Sequence, residues 1–433
     1  MPKKKVGRWG WHAVVLLAGL LVLSAFGLAS AQQTAAPPGA APEKREPSLL
    51  RLGALEFHPG FDVSYTHDNN IFLTRDQEKS DEIIRYIPSL RLDLPFGAAS
   101  KASGSFKYER KDFDKFDTED ADNTYTTAAL ILERLFGSYY WKTNGNWDKT
   151  DDPSSSETQS TTGARTPHAV GKVSTSLGYG GYEENKVHLE INGSAGRDQY
   201  ERALNDRLNK WDYRLGGIGE YKFTEKTAVR LDYGFIRTDF TQRASGDQRD
   251  DSRAHFVRGG LAFTPGALIT GHATFGAEFR EFDTSISADN RTDRDTTGFS
   301  ADVDLTYAVQ PERTTINLRF TAGLEPSSTP GQFGYQKYRA DGTLTQGLFF
   351  LSDQLEASLT PSYEVNNFIK KGDVGANRKD KIVSVKVGLT YRAKSEVFPW
   401  FTSVEYEYKK KDSSEDTNDY RDNTVMVKVG LQF

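Results

Sequence analysis

Charged side chains in this sequence recur at every second position of short segments whose other positions are aliphatic or aromatic. Arg230 and Asp232, for example, alternate with Val229, Leu231 and Tyr233. Ammonium, guanidinium and carboxylate groups gathered on one face could hold water beside them or bind a polar solute. The candidates for this polar wall are Glu190, Arg230, Asp232, Glu278, Arg280, Asp302, Asp304, Arg319, Glu356, Lys386, Glu405, Glu407 and Lys428.

The polar wall has two interpretations, which both stay open. The first is a hydrated wall of mixed charge, and the second is a track that guides a polar polymer or solute. Charges of both signs occur in the wall, so strong selection of anions or of cations is not expected.

Catalytic and metal-binding patterns are absent from the sequence. The seven histidines are scattered, there is no cysteine, and neither H-E-x-x-H nor G-x-S-x-G occurs. His188 and His272 share the face of the charged residues, but no serine or carboxylate partner can be placed beside them from sequence. The aspartates of the segment 412–422 offer oxygen ligands for calcium without the spacing of an EF-hand. We therefore expect neither an enzyme, nor a metal site, nor a cofactor.

The strict alternation of apolar and polar residues predicts β-strands with one apolar and one polar face. About 18 such segments follow one another, separated in turn by short connections such as 95–97 and long ones such as 151–165. No run after residue 31 approaches the ~20 apolar residues of a membrane-spanning helix. The pattern predicts an all-β fold, a transmembrane antiparallel up-and-down β-barrel with short periplasmic turns and long outer loops. Pro88 and Pro361 fall inside proposed strands, where we expect a bulge or a strand end.

The carboxy-terminal segment is the most regular of these strands. It is an alternating strand that ends on an aromatic residue, and it resembles the insertion signal of bacterial outer-membrane barrels. A closing strand would remove the edge of the sheet, whereas the alternative is an ordinary edge strand. The apolar positions of this signal are Val425, Val427, Val429, Leu431 and Phe433.

The amino-terminal segment has the pattern of a secretory signal peptide, residues 1–31. A basic region containing Arg8 precedes the apolar run 13–23, and Ala29 and Ala31 form an A-x-A cleavage site. Residues 32–51, rich in proline and alanine, predict a flexible periplasmic linker, and residues 52–433 predict the barrel. The net charge of −5 argues against a nucleic-acid partner.

Four stretches resemble the putative β-barrel porin 2 family. They are Tyr65–Phe72 (Tyr-Thr-His-Asp-Asn-Asn-Ile-Phe), Tyr233–Phe240 (Tyr-Gly-Phe-Ile-Arg-Thr-Asp-Phe), Arg249–His255 (Arg-Asp-Asp-Ser-Arg-Ala-His) and Phe279–Asp283 (Phe-Arg-Glu-Phe-Asp). The resemblance covers most of the mature chain, although the first stretch carries one additional asparagine.

The resemblance implies an outer-membrane barrel of a Gram-negative bacterium that takes part in exopolysaccharide secretion. Its expected partners are outer-membrane lipid and lipopolysaccharide, the barrel-assembly machinery, the polysaccharide and periplasmic export proteins. Two alternatives remain, a general or substrate-specific uptake porin and a non-conducting structural or adhesin barrel.

Overall fold

The computed structural model describes residues 50–96, 100–135, 138–151, 165–180, 185–201, 208–241, 251–263, 268–282, 295–310, 313–327, 332–349, 351–352, 354–370, 378–393, 395 and 399–432. The predicted cleavage site at Ala29 and Ala31 and the terminal Phe433 lie outside these residues. The first strand begins at Leu50, within the range predicted for the linker.

The described residues form nineteen strands and two short 3-10 helices, Asp117–Glu119 and Asp416–Asn418. The strands are β1 (Leu50–Leu52), β2 (Leu55–Asp68), β3 (Asp81–Pro95), β4 (Lys101–Phe113), β5 (Ala121–Leu135), β6 (Tyr139–Thr150), β7 (His168–Tyr179), β8 (Val187–Tyr200), β9 (Lys210–Lys222), β10 (Thr227–Phe240), β11 (Ser252–Phe263), β12 (Ile269–Phe282), β13 (Thr296–Gln310), β14 (Thr314–Pro326), β15 (Gln332–Gly347), β16 (Leu355–Lys370), β17 (Lys379–Arg392), β18 (Trp400–Ser413) and β19 (Tyr420–Gln432).

The strands from β2 to β19 form one closed antiparallel barrel. Each strand pairs with the next in sequence, and β19 returns to pair with β2 from Thr424 opposite Asp68 to Gln432 opposite Gly60. Eighteen long strands therefore close the ring, while the short β1 folds back onto the start of β2. The predicted fold class is confirmed.

The two ends of the barrel differ in their connections. The connections 69–80 and 151–167 leave one end, which we call the long-connection end. The connections 96–100 and 223–226 leave the other end, which we call the short-connection end, where β2 begins and β19 finishes.

The two faces of the barrel wall have the reverse of the polarity of a soluble protein. Val429 on β19 is 52% exposed, whereas Ser64 on β2 is 2% exposed. Large aliphatic and aromatic side chains point outward on most of the long strands, including β2, β3 and β4. Polar side chains point inward. An exposed apolar band of this extent is stable only against an apolar phase such as lipid.

The two prolines do not produce the predicted bulge or strand end, so that prediction is wrong. The ladder between β2 and β3 runs through Pro88, opposite Phe61, and the ladder between β3 and β4 skips Ile87 and Pro88 but resumes in the same register. Pro361 likewise pairs with Val385 on β17, while the ladder to β15 is interrupted without a shift. A proline removes only its own N–H, so the neighbouring bonds keep the register.

The inner surface of β11 and β12 comes very close to neighbouring backbone at two glycines. A Cβ atom at Gly260 would overlap the carbonyl oxygen of Ala273, and one at Gly276 would overlap that of Val257. Gly259, on the outer face of β11, has open space around the same position.

We expect Gly260→Val to lower the free energy of unfolding by about 1–3 kcal/mol or more, because backbone must move to accept the side chain. Gly259→Val should fold like the unmodified chain. The folded fraction is measured after refolding in detergent, from the heat-dependent shift in gel migration that folded barrels show. If Gly260→Val and Gly259→Val give equal folded fractions, the close approach of Gly260 to the Ala273 carbonyl is contradicted.

Candidate functional site

The residues predicted for the polar wall all occupy inward positions of the barrel. Each lies on its strand beside outward apolar residues, as Glu190 lies beside Ile191, which is 66% exposed, and Arg230 beside Leu231, which is 58% exposed. Contact of these residues with a transported solute stays a prediction. Their side chains form two groups, since some are buried in ion networks and others are open to the interior.

A chain of polar and charged side chains crosses the inner wall from β6 to β13, and we call it the charge belt. It begins at Tyr140, whose hydroxyl lies 2.8 Å from Nε2 of His188 and donates to Oε2 of Glu190 at 2.5 Å. Nδ1 of His188 lies 3.1 Å from Oε2 of Glu220. The belt comprises Tyr140, His188, Glu220, Arg230, Asp232, Arg258, Asp302 and His272.

Arg230 is the centre of the belt. Its Nη1 donates to Oε1 of Glu220 at 3.0 Å, and its Nε donates to Oδ1 of Asp232 at 2.8 Å. The guanidinium thus neutralises two carboxylates on neighbouring strands. The Asp232 and Glu220 side chains are each only 3% exposed, so they depend on this cation for compensation.

The belt continues through a shared cation on β11. Nη2 of Arg258 lies 3.7 Å from a carboxylate oxygen of Asp232 and 3.7 Å from one of Asp302. Nε2 of His272 lies 3.5 Å from the same oxygen of Asp302. His188 and His272 therefore both have carboxylate partners that could not be placed from sequence.

A second buried pair joins β12 to β11 and β14. Arg280, which is 2% exposed, donates to Glu278 at 3.0 Å, to the Ser252 hydroxyl at 2.9 Å and to the Leu324 carbonyl at 2.7 Å. The backbone N–H of Leu324 donates to Glu278 at 3.1 Å. These two charges hold neighbouring strands together rather than standing free in the interior.

Other predicted wall residues are more open. Lys386 contacts Glu405 at 2.8 Å, with its side chain 44% exposed, and Arg319 is exposed. The remaining members, Asp304, Glu356, Glu407 and Lys428, are half-buried. The interior is thus lined on part of its surface by charges that solvent can reach.

The stretch Tyr65–Phe72 extends the closing seam at the long-connection end. Asn423 and Asn69 exchange two hydrogen bonds, at 2.7 and 3.2 Å. Asn70, which is fully buried, donates from Nδ2 to the carbonyls of Arg421 at 2.7 Å and Thr74 at 2.8 Å. Two asparagines therefore continue the contact between β2 and β19 after the ladder stops.

Beyond Asn70, the same connection packs on the inner wall. Ile71 and Phe72 form an apolar cluster with Ile83 and Phe113, both at inward positions of their strands. Nη1 of Arg165 donates to the carbonyl of Ile71 at 3.2 Å and so ties the β6–β7 connection to this cluster. The cluster lies against the inner wall at the long-connection end.

Ion pairs also join the connections themselves. Nη1 of Arg75 lies 3.2 Å from Oδ2 of Asp416, in the β18–β19 connection. This hydrogen bond and the negative charge of Asp416 raise the pKa of Arg75 above its ordinary value. At the base of the cluster, Lys111 contacts Asp151 at 2.8 Å, and both are buried.

Lys142, Lys172 and Arg214 are among the inward cations that sequence reasoning missed. They line a cavity of about 320 Å³, and Arg214 also lines a neighbouring cavity of about 500 Å³. The signal was present, since Lys142 follows the exposed Trp141 and Arg214 lies between the exposed Tyr213 and Leu215.

Metal ligands are not clustered in the described part of the chain, where no group of three or more His, Cys, Asp or Glu side chains could hold an ion. None of the described helices has the length and apolar character needed to cross a membrane.

A closed barrel with an apolar outer band and a polar interior defines the class of porin-like β-barrels. The sequence model of the family described as Putative beta-barrel porin 2 matches residues 46–433. The chain belongs to this family, so the family resemblance drawn from its short motifs is confirmed.

Solved porin structures are similar to the chain at low identity. Outer membrane protein opdK from Pseudomonas aeruginosa is 11% identical, with 87% of this chain and 99% of that chain covered and a TM-score of 0.43. OccAB4 from Acinetobacter baumannii is 13% identical, with 87% and 98% covered and a TM-score of 0.43. A BenF-like porin from Pseudomonas fluorescens Pf-5 is 11% identical, with 88% and 100% covered and a TM-score of 0.45. These similarities identify no substrate. No curated protein sequence matches the chain.

We expect Arg230→Ala to lower the free energy of unfolding by about 3 kcal/mol, because the buried Glu220 and Asp232 would lose the cation nearest to each of them. Arg319→Ala is the matched control, since Arg319 is also inward but exposed, without an ion pair among the described residues. The control should cost under about 0.5 kcal/mol.

Equilibrium unfolding in urea, followed in lipid vesicles, measures both changes. Equal effects of the Arg230 and Arg319 substitutions would show that the charge belt does not stabilise the barrel.

Proposed function

We propose that the chain is a passive channel of the outer membrane of a Gram-negative bacterium and takes part in exopolysaccharide secretion. The observation that carries the proposal is the closed ring of eighteen long strands with apolar side chains outside and charged side chains of both signs inside. Such a wall is suited to lipid on one side and to water on the other.

The chemistry of the inner wall supports a polar polymer as the solute. The charges of the belt are paired, so they present a polar surface with little net attraction for a counter-ion. Hydroxyl and amide side chains lie between the charges, for example Ser174, Ser176 and Asn192 along β7 and β8. These groups can replace water around the hydroxyls of a sugar chain as it passes.

The long-connection end is the proposed outer opening and the gate. The cluster of Ile71, Phe72, Ile83 and Phe113 lies against the inner wall there, and Asn70 and Arg165 hold it in place. The short-connection end, with both ends of the closed sheet, would then face the periplasm and its export proteins. Lipopolysaccharide and lipid would surround the apolar band, and the barrel-assembly machinery would insert it.

No catalytic step belongs to the proposal. His188 and His272 are engaged with Glu220 and Asp302, and these contacts are parts of the charge belt. Their role in the proposal is to hold the wall together.

Uptake of a small anion is the second candidate function. It is favoured by the cations Lys172 and Arg214, which are exposed to the interior and make no ion pair among the described residues, although Asp212 acts electrostatically on both. A third role, as a structural or adhesin barrel, requires that the apolar cluster and the outer connections close the interior.

We expect the refolded mature protein to give stable single-channel conductance in a planar bilayer, and the exopolysaccharide of its host to block that conductance from one side. One-sided block follows from a wall that binds the polymer and a gate at only one end. Stable conductance that the polymer does not change would contradict the secretion role and favour uptake. No conductance from a folded, heat-modifiable barrel would contradict both.

A further inference from the structure

Three cations on the inner wall stand apart from the charge belt. Lys172 and Arg214 are exposed to the interior and Lys142 is half-exposed. No ion pair of any of the three occurs among the described residues, although Lys142 lies 4.7 Å from the ring centre of Tyr140. We call these three residues the basic patch.

The basic patch surrounds a cavity of about 320 Å³ that is otherwise polar. Asn144, Ser174, Ser176, Asn192 and Ser194 lie in its wall. Together they supply hydroxyl and amide groups that both donate and accept hydrogen bonds.

One carboxylate, that of Glu190, also lines the cavity among its described residues. Glu190 accepts hydrogen bonds from the Tyr140 hydroxyl at 2.5 Å and from Nδ2 of Asn192 at 3.3 Å. It is therefore already engaged at the edge of the patch, and the three cations retain an excess of positive charge.

The register of the sheet places the patch across four adjacent strands, β6 to β9. Ser174 pairs with Asn144 on one side and with Ser194 on the other, and Ser194 pairs with Arg214. Lys172 lies one inward position from Ser174 along β7. At ~4.8 Å between strands, the cations span roughly 14 Å of the wall.

We propose that the basic patch binds acidic saccharides, in which a sugar unit carries a carboxylate. Guanidinium and ammonium groups form their strongest hydrogen bonds with carboxylates. The neighbouring serines and asparagines match the hydroxyls of the same sugar. This inference rests on the proposed channel function and names the class of substrate.

Arg214 connects the patch to the larger cavity. The second cavity, of about 500 Å³, has Arg214, Arg319 and Arg339 in its lining, together with the carboxylates of Asp212, Glu278, Asp302, Glu325 and Asp341. Arg319 is exposed, whereas Arg339 is paired with Asp341 at 2.9 Å. A carboxylate released by Arg214 can thus meet Arg319 as its next free cation along the wall.

The test compares oligogalacturonate, which is carboxylated, with a neutral maltooligosaccharide of the same chain length. Each is added to single channels of the full mature chain and of the variant Lys142→Gln, Lys172→Gln, Arg214→Gln. The matched control is Lys149→Gln, Arg237→Gln, Arg253→Gln, which removes three cations from outward positions of β6, β10 and β11. Both variants change the net charge equally.

We expect oligogalacturonate to block the unmodified channel at lower concentration than the neutral saccharide. To reach the same degree of block, the patch variant should need at least roughly ten times the concentration of oligogalacturonate, because it loses several charged hydrogen bonds. The control variant should behave like the unmodified chain. Unchanged block of the patch variant, or equal block by both saccharides, would overturn the proposal. If the triple variant does not fold, Lys172→Gln alone is judged by the same criteria.

Calorimetric titration of detergent-refolded protein with oligogalacturonate separates the two proposals. Binding that depends on the patch, without any conductance, would contradict the channel function and support the patch. Conductance that the host polysaccharide blocks, without oligogalacturonate binding, would contradict the patch and support the channel.

Discussion

Pairing between β19 and β2 removes the last open edge of the sheet, and the rest of the structure depends on it. A strand edge exposes a row of N–H and C=O groups, each of which costs several kcal/mol in lipid without a partner. Nine residue pairs from Thr424 to Gln432 satisfy these groups, and Asn69 and Asn70 extend the contact at one end. Once the ring is closed, its outer surface can be apolar and every polar side chain can point inward.

Closure also places charged side chains in the interior, where the charge belt pairs them with opposite charges. The inner wall must accept charges of both signs in a space where part of the wall is shielded from water. Arg230 joins Glu220 and Asp232 on neighbouring strands, and Arg258 joins Asp232 on β10 to Asp302 on β13, so that these three carboxylates are compensated. The cations of the basic patch make no ion pair among the described residues, and Lys172 and Arg214 are exposed to the interior. The belt joins strands of the wall, whereas the patch is the part proposed to bind a solute.

Sequence periodicity predicted the strands and the facing of the charges, because alternation directly records which side meets lipid. It could not identify partners, since register between strands does not appear in one strand's pattern. His188 and Glu220 lie 32 residues apart and meet only because β8 pairs with β9. For the same reason, the sequence does not distinguish Arg230, whose side chain is largely buried in ion pairs, from Arg319, whose side chain is exposed to the interior. Pro88 was misjudged because a single missing donor does not move the register of a long ladder.

A crosslink between β2 and β19 tests closure most directly. The chain has no native cysteine, so only the introduced cysteines can react. Val63 and Val429 are directly opposite each other on β2 and β19, so Val63→Cys with Val429→Cys should react with a short bifunctional thiol reagent in the folded barrel. The circularised chain would migrate differently from the linear chain after heating. Val63→Cys with Leu231→Cys, on the separate strand β10, is the control and should remain linear. If the variant with Val63→Cys and Val429→Cys folds but its chain is not circularised by the reagent, the closed ring is contradicted.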